Sequence, residues 1–265
     1  MKNESSKKEL EKTMGLYMYS VIQANGDRSF GPIGLSEDGK VGEEVYTITH
    51  EEIACVVSNS PIKEWDISRE NTIKHQKVNE MVMKDYVTLP IKFCTIGETS
   101  EQIVEKFLRN RYQELRERID YFADKEEYGV RALWVEMDKA YSTLLDENPR
   151  LKEWRDRLAK LPFDKARNDM IVLGQKVKET LQQKRKVLEC ELFDKLKPLA
   201  AEAKTNKLVG DRMVLNGAFL VGKESQTEFD VKVSELSEEY KDLFQLRYVG
   251  PTPPSNFIEI AVNWD

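Results

Sequence analysis

The sequence predicts a mixed α+β protein of two domains, the second of which carries long helices. Up to about residue 136, short runs rich in β-branched and aromatic residues alternate with amphipathic helical patterns. From about residue 137 to 205 the strand patterns vanish, and glycine occurs once, at Gly174. A length of 265 residues allows one or two domains. We therefore expect a mobile tail at 1–14, an α+β domain at 15–136 and a second domain at 137–265.

The N-terminal domain begins with three strand-like runs. Residues 15–23 alternate in polarity and are rich in aromatic and β-branched side chains, which is typical of a strand. The runs 44–49 and 53–58 are separated by three polar residues and predict a hairpin. Residues 25–40 contain four glycines and a proline, so we expect a loop with several turns there.

Two helices and two more strands complete this domain. Ser68 predicts the cap of a helix that runs to about Asp85, and a second helix begins at Thr99 or Ser100. The run 87–93 follows as a strand, which Pro90 places at a sheet edge because proline cannot donate to a ladder. Adding a strand at 130–136 gives an order typical of a ferredoxin-like α+β sandwich. The residues expected on the buried face of the first helix are Ile73, Val78, Met81, Val82 and Tyr86.

The second domain is predicted to open with a helical hairpin at 138–203. Its first helix is disturbed at Pro149, and its second has apolar residues at helical spacing. A small α+β unit follows at 207–265, with two short strands around Asn216-Gly217, one amphipathic helix and strands at 244–250 and 257–264. The stripe expected along the second helix is Met170, Leu173, Val177, Leu181, Leu188, Leu192, Leu196 and Leu199.

Charge and composition exclude several classes of protein. There are 41 basic and 47 acidic residues, a formal net charge of −6, which argues against general binding to the phosphates of nucleic acid. No run approaches the roughly 18–20 apolar residues of a membrane span, and the charged N-terminus does not resemble a secretory signal. Three scattered cysteines fit a reducing cytoplasm. The helical stretch 136–205 has 16 basic and 13 acidic residues, so it carries +3 and the rest of the chain −9.

The sequence contains few residues of the types that catalysis and metal binding usually require. His50 and His75 are the only histidines, and no metal-ligand spacing, phosphate loop or nucleophile motif occurs, so we expect no catalytic residue, cofactor or metal. One alternative stays open. A ferredoxin-like protein could bind a small molecule, or catalyse a reaction, with the glycine-rich loop 25–40 and Cys94, which precedes a helix start.

Several segments, taken in order, carry a resemblance to a known family. They include LYMYSVI (16–22), HQKVNEMVMKDYVTLPIKFCTI (75–96), MVLNGAFLV (213–221) and RYVGPTPPSNFIEI (247–260). The chain resembles the gas vesicle protein F/L family. The resemblance implies a ferredoxin-like N-terminal domain and a C-terminal α+β domain with long helices. It also implies a cytoplasmic, non-enzymatic accessory protein that is needed for gas vesicle formation and is a minor component of the vesicle.

Under this resemblance the expected partners are the hydrophobic shell protein of the vesicle and sibling accessory proteins. An exposed strand edge could receive a strand of the shell protein, or a helix groove could cover its apolar face. The proline-rich segment 250–256 is either a stiff connector or a rigid apolar knob for a partner. The candidate interface residues are Val87, Leu89, Pro90, Ile91 and Phe93 in the edge strand, and Pro251, Pro253, Pro254 and Phe257 near the C-terminus.

Overall fold

A computed structural model describes residues 13–36 and 41–264, which form two compact units. The first unit runs up to Lys125 and resumes at Thr252, whereas the second spans Glu126–Pro251. This division differs from the expected boundary at 136, because the strand that starts at Lys125 joins the sheet of the second unit. Residues 1–12 of the expected tail lie outside the described residues, and Met14 already begins a strand.

The first unit is built on a sheet whose longest strand is almost entirely buried. Its spatial order is β2-β3-β4-β1-β5, with the short β6 also pairing with β1, and the reported pairs are antiparallel. The predicted hairpin is confirmed as β3 and β4. The strand β2 lies inside the expected loop 25–40, of which residues 37–40 lie outside the described part. The strands are β1 (Met14–Gln23), β2 (Ser29–Gly31), β3 (Val45–His50), β4 (Ile53–Pro61), β5 (Thr88–Pro90) and β6 (Ile96–Gly97).

Helices cover this sheet, and the first helix begins where the sequence predicts. Helix α1 (Arg69–Val82) is capped by Ser68, whose Oγ accepts the Asn71 N–H at 3.1 Å. Helix α2 (Ser100–Gln102) is capped by Thr99 and continues into a π-helical stretch, Ile103–Arg109, before α3 (Tyr112–Phe122). The predicted buried face of α1 is only partly right. Val78 and Val82 are buried, but Ile73 and Met81 are exposed, and His75 and Asn79 occupy the inner positions.

The second unit pairs a four-stranded sheet with the long helices. The sheet order is β10-β7-β9-β8, and β8 and β9 are antiparallel. Together the two units form a mixed α/β protein with antiparallel sheets. The order expected of the N-terminal domain was a strand, a hairpin of two strands, a helix, a strand, a helix and a last strand. It is not confirmed there, because the last strand belongs to this second sheet. The elements are β7 (Lys125–Trp134), α4 (Met137–Glu147), α5 (Pro149–Leu158), α6 (Phe163–Leu196), β8 (Glu202–Thr205), β9 (Met213–Gly222), α7 (Gln226–Glu239) and β10 (Phe244–Thr252).

Three local predictions for the chain beyond residue 137 were wrong. In each case strand pairing or the chemistry of the backbone overrides the local sequence pattern. The dipeptide Asn216-Gly217 lies within the single strand β9, where Gly217 pairs with Thr205 of β8, and does not form a turn. The expected strand 257–264 is reduced to one bridge, between Ile91 and Ile260. The first long helix is two helices, because Pro149 lacks the N–H that a continuous helix requires and instead occupies the first turn of α5.

The packing of α6 changes along its length. Its C-terminal half packs onto β9, and Leu192 and Leu196 are buried in the main core of the second unit. Its N-terminal half packs against α5, through a small core of Leu158, Ala166 and Leu173. Met170, expected in the buried stripe, is 41% exposed, so this part of the stripe is not covered by the rest of the unit. The same half leaves Phe163 and Ile171 exposed.

Two glycines, one in β1 and one in α6, lie in contrasting surroundings, which substitution by alanine can test. A Cβ at Gly15, in β1, would lie 2.6 Å from the carbonyl oxygen of Gly97, which is backbone and cannot swing away. A Cβ at Gly174, in α6, would meet nothing within 4 Å. Gly15→Ala should therefore lower the free energy of unfolding by about 1–3 kcal/mol, as overpacking does. Gly174→Ala should raise it by about 0.5–1 kcal/mol through helix propensity.

Urea unfolding of both variants, monitored by circular dichroism, measures these changes. Equal effects of the two substitutions would contradict the close approach of β1 and β6 at Gly15.

Candidate partner-binding site

The strand proposed as a docking edge lies at the end of its sheet, but the chain itself covers part of it. Strand β5 pairs with β1 on one side. Beyond it, Ile91 forms a parallel bridge with Ile260. The Ile260 N–H donates to the Pro90 carbonyl at 2.8 Å, and the Lys92 N–H donates to the Ile260 carbonyl at 2.9 Å. A short piece of the C-terminal segment (residues 252–264) therefore already acts as an added strand.

Basic side chains from the neighbouring helices hold this C-terminal segment. Arg111 donates from Nη1 to the Ala261 carbonyl at 2.8 Å, and Lys106 donates from Nζ to the Trp264 carbonyl at 3.0 Å. Ile260 itself is buried, with 3% of its surface exposed. The segment is thus fixed by backbone hydrogen bonds, by two basic side chains and by the burial of Ile260.

The structure brings the two separately predicted groups of interface residues to one place, except for Pro251. Pro251 is exposed and belongs to the second unit. The edge-strand and C-terminal groups meet through the Ile91–Ile260 bridge. Five of the candidates are buried and do not face solvent in this structure: Leu89, Pro90, Ile91, Pro253 and Pro254. Three are half-buried: Val87, Phe93 and Phe257.

Behind this edge lies a buried polar cluster that the sequence did not reveal. The Tyr17 hydroxyl lies 3.1 Å from Nδ1 of His75 and accepts the Cys94 N–H at 2.9 Å. The Trp65 N–H in turn donates to the Cys94 Sγ at 3.1 Å. These bonds join β1, α1 and the segment after β5. The signal available in the sequence was the position of His75, three residues before Val78 and seven before Val82, which puts it on the buried face of α1.

Burial favours the neutral forms of the histidine and the tyrosines in this cluster. It lowers the pKa of His75 to about 4, against a smaller opposing effect of a hydrogen bond with the Ile91 backbone. It also raises the pKa of Tyr17, and raises that of Tyr19 to about 12. The Cys94 thiol is half-buried and serves as an acceptor for Trp65. These contacts are those of packing groups that tie elements together.

The described ranges, 13–36 and 41–264, contain neither a cluster of metal-binding side chains nor a membrane-spanning helix. No group of three or more histidine, cysteine or acidic side chains there is placed to hold a metal ion. No helix in those ranges is long and apolar enough to cross a membrane.

The fold and the site define a mixed α/β protein with antiparallel sheets, in which a C-terminal segment closes one sheet edge. Comparison with known proteins identifies its family. The sequence profile described as gas vesicle synthesis protein GvpL/GvpF matches residues 15–259. The chain belongs to this family.

Individual relatives agree over nearly the whole chain. Gas vesicle protein F of Nostoc sp. is 25% identical over 249 residues, which cover 93% of this chain and 99% of the relative. Gas vesicle protein L1 of Halobacterium salinarum is 24% identical, with coverage of 92% and 90%. The crystal structure of the gas vesicle protein GvpF from Anabaena sp. PCC7120 superposes with a TM-score of 0.72 at 25% identity, and covers 93% of this chain and 98% of that one.

The buried His75 predicts a specific acid sensitivity. Its folded pKa of about 4 is below the unfolded value near 6.5, so between these pH values the unfolded chain binds more protons. Stability contributed by neutral His75 is complete above pH 6.5 and is lost as the pH falls towards 4, by about 3 kcal/mol. In His75→Gln, which keeps hydrogen-bonding capacity without titrating, this part of the pH dependence should disappear.

Guanidinium unfolding of both proteins at pH 7.5, 5.5 and 4.5 measures the difference. Carboxylates titrate alike in the two proteins, so the comparison isolates the histidine. Identical slopes of stability against pH would contradict a neutral, buried His75.

Proposed function

We propose that this protein is a non-enzymatic accessory factor in gas vesicle formation, which binds the hydrophobic shell protein or sibling accessory proteins. In this role it nucleates or chaperones shell assembly in the cytoplasm and remains a minor component of the vesicle. The single observation that carries the proposal is the family match over residues 15–259. Nearly full-length similarity to gas vesicle proteins F and L supports it.

The physical need for such a factor follows from strand pairing. A small, very hydrophobic subunit with unpaired strand edges aggregates in water unless those edges are covered. This chain is suited to cover them, because a third of its residues are charged and it contains antiparallel sheets with edges of its own. We infer that the shell protein adds a strand at the β5 edge.

The β5 edge becomes available when the C-terminal segment leaves it. That segment holds the edge through two backbone hydrogen bonds around Ile260, which a partner strand can replace one for one. The edge-strand candidates Leu89 and Ile91, now buried, would then line the new interface. Val87, Phe93 and Phe257 are already partly exposed.

Co-expression tests the function. We expect the shell protein to remain in the supernatant when it is produced with this chain and to pellet without it, because its strand edges would be covered. The soluble fraction after centrifugation is the measurement, and an unrelated acidic protein of similar size is the control. Equal pelleting with this chain and with the control would refute the proposal.

A second experiment tests the site separately. Ile260→Ala removes the buried side chain that anchors the C-terminal segment, whereas Glu259→Ala changes its exposed neighbour. If the shell protein pairs with β5 in place of this segment, Ile260→Ala should raise the soluble fraction of shell protein, and Glu259→Ala should leave it unchanged. Circular dichroism verifies that both variants fold.

A lower or unchanged soluble fraction with Ile260→Ala would show that β5 is not the docking edge. The accessory function could then still stand on the first experiment.

A further inference from the structure

A second surface, on the long helix of the second unit, combines an uncovered apolar line with a row of cations. In α6, apolar or small residues succeed one another at intervals of seven, four, three and four: Phe163, Met170, Gly174, Val177 and Leu181. These intervals are close to whole turns of a helix, so the residues form one line along it. Phe163 is 68% exposed and Met170 41% exposed, so the N-terminal part of the line is uncovered.

The C-terminal part of this line forms the floor of a groove. The groove has a volume of about 260 Å³ and is lined by Tyr141 of α4, by Gly174, Val177 and Leu181, and by polar residues at its rim. At Gly174 a Cβ would meet nothing within 4 Å, so a partner can approach the helix backbone closely there. We call the line and this groove together the α6 groove.

Cations border the α6 groove along one side. Arg167, Lys178 and Arg185 lie at intervals of eleven and seven residues, again near whole turns, so they form a row beside the apolar line. Lys178 and Arg185 line the groove together with one carboxylate, Asp211. Arg185 donates from Nη1 to the Gly210 carbonyl at 3.4 Å. None of the three cations forms an ion pair among the described residues, although ion pairs are common elsewhere on this helix, as between Lys184 and Glu147.

We propose that the α6 groove binds an amphipathic helix of another protein, whose apolar stripe is bordered on one side by acidic residues. Apolar side chains of that helix would lie on Met170, Gly174 and Val177, and its carboxylates would pair with the cationic row. From Phe163 to Arg185 the groove is about 33 Å long, at 1.5 Å per residue, which matches a helix of roughly 20 residues.

The cationic row also selects against other occupants. A second copy of this chain, docked through the same face, would bring the same three cations into the interface, where the two sets of like charges would repel each other. The charge of the region agrees with an acidic partner, because residues 136–205 carry +3 in a chain that is −6 overall. This surface and its partner are independent of the docking edge at β5.

Two synthetic peptides test the proposal on the full-length chain. Each is a fluorescently labelled helix of 20 residues with leucines along one face; one carries glutamates beside the leucines, and the other carries glutamines at the same positions. Fluorescence anisotropy at low and high salt measures binding. We expect the acidic peptide to bind at least tenfold more tightly than the neutral one, and this advantage to shrink in high salt.

Variants of the chain locate the site. Gly174→Leu places an apolar side chain in the groove at a position where its Cβ meets nothing within 4 Å, and Lys178→Glu reverses one charge of the row. Each should weaken binding of the acidic peptide about tenfold. Lys165→Glu makes the same charge change on the opposite side of α6 and should leave binding unchanged. Equal affinity for both peptides, or unchanged binding by Gly174→Leu, would overturn the proposal.

Sedimentation velocity addresses the remaining occupant. A dimer that dissociates in Gly174→Leu would show that a second copy fills the groove, and this would also overturn the proposal. A parent chain with the same sedimentation coefficient as the variant supports it.

Discussion

The first unit depends on the burial of β1, because the residues Gly15–Ile22 are buried and two of them carry phenolic hydroxyls. Each hydroxyl must find partners away from water, since an unsatisfied buried polar group costs about 1–3 kcal/mol. Tyr17 meets His75 and the Cys94 N–H, while Tyr19 lies 2.9 Å from the Ser58 Oγ and accepts the Leu35 N–H at 2.8 Å. One strand thereby fixes a helix, a neighbouring strand and two loops, including the loop that leads from β5.

Local sequence patterns were sufficient to predict the elements that depend only on residues close together in the chain. The hairpin of β3 and β4, the cap at Ser68 and the helix α7 follow from residue spacing and capping chemistry, and all are present. Sheet membership could not be read in this way. The strand β7 has the same local pattern in either sheet, and only the assembled unit shows that it pairs in the second one.

The candidate site illustrates the same limit. Its two halves were recognised separately, one from Pro90 and one from the proline-rich segment, but nothing in either predicts that Ile91 and Ile260 pair. Likewise, periodicity identified an apolar stripe on α6 without showing where the stripe lacks a neighbour. The spacing of an apolar residue along a helix does not show whether the residue contacts α5, a sheet or solvent. For this reason the periodicity places Met170 in the core, although it is exposed.

The return of residues 252–264 to the first unit makes that unit discontinuous in sequence, with the second unit inserted between its parts. Because synthesis is vectorial and domains fold as units, all of Glu126–Pro251 is available before Ile260 exists. For that interval the nascent chain presents β5 with its outer hydrogen-bonding groups unoccupied. If a partner strand pairs at β5, as proposed, the order of translation lets it reach this edge before the chain's own C-terminal segment can occupy it.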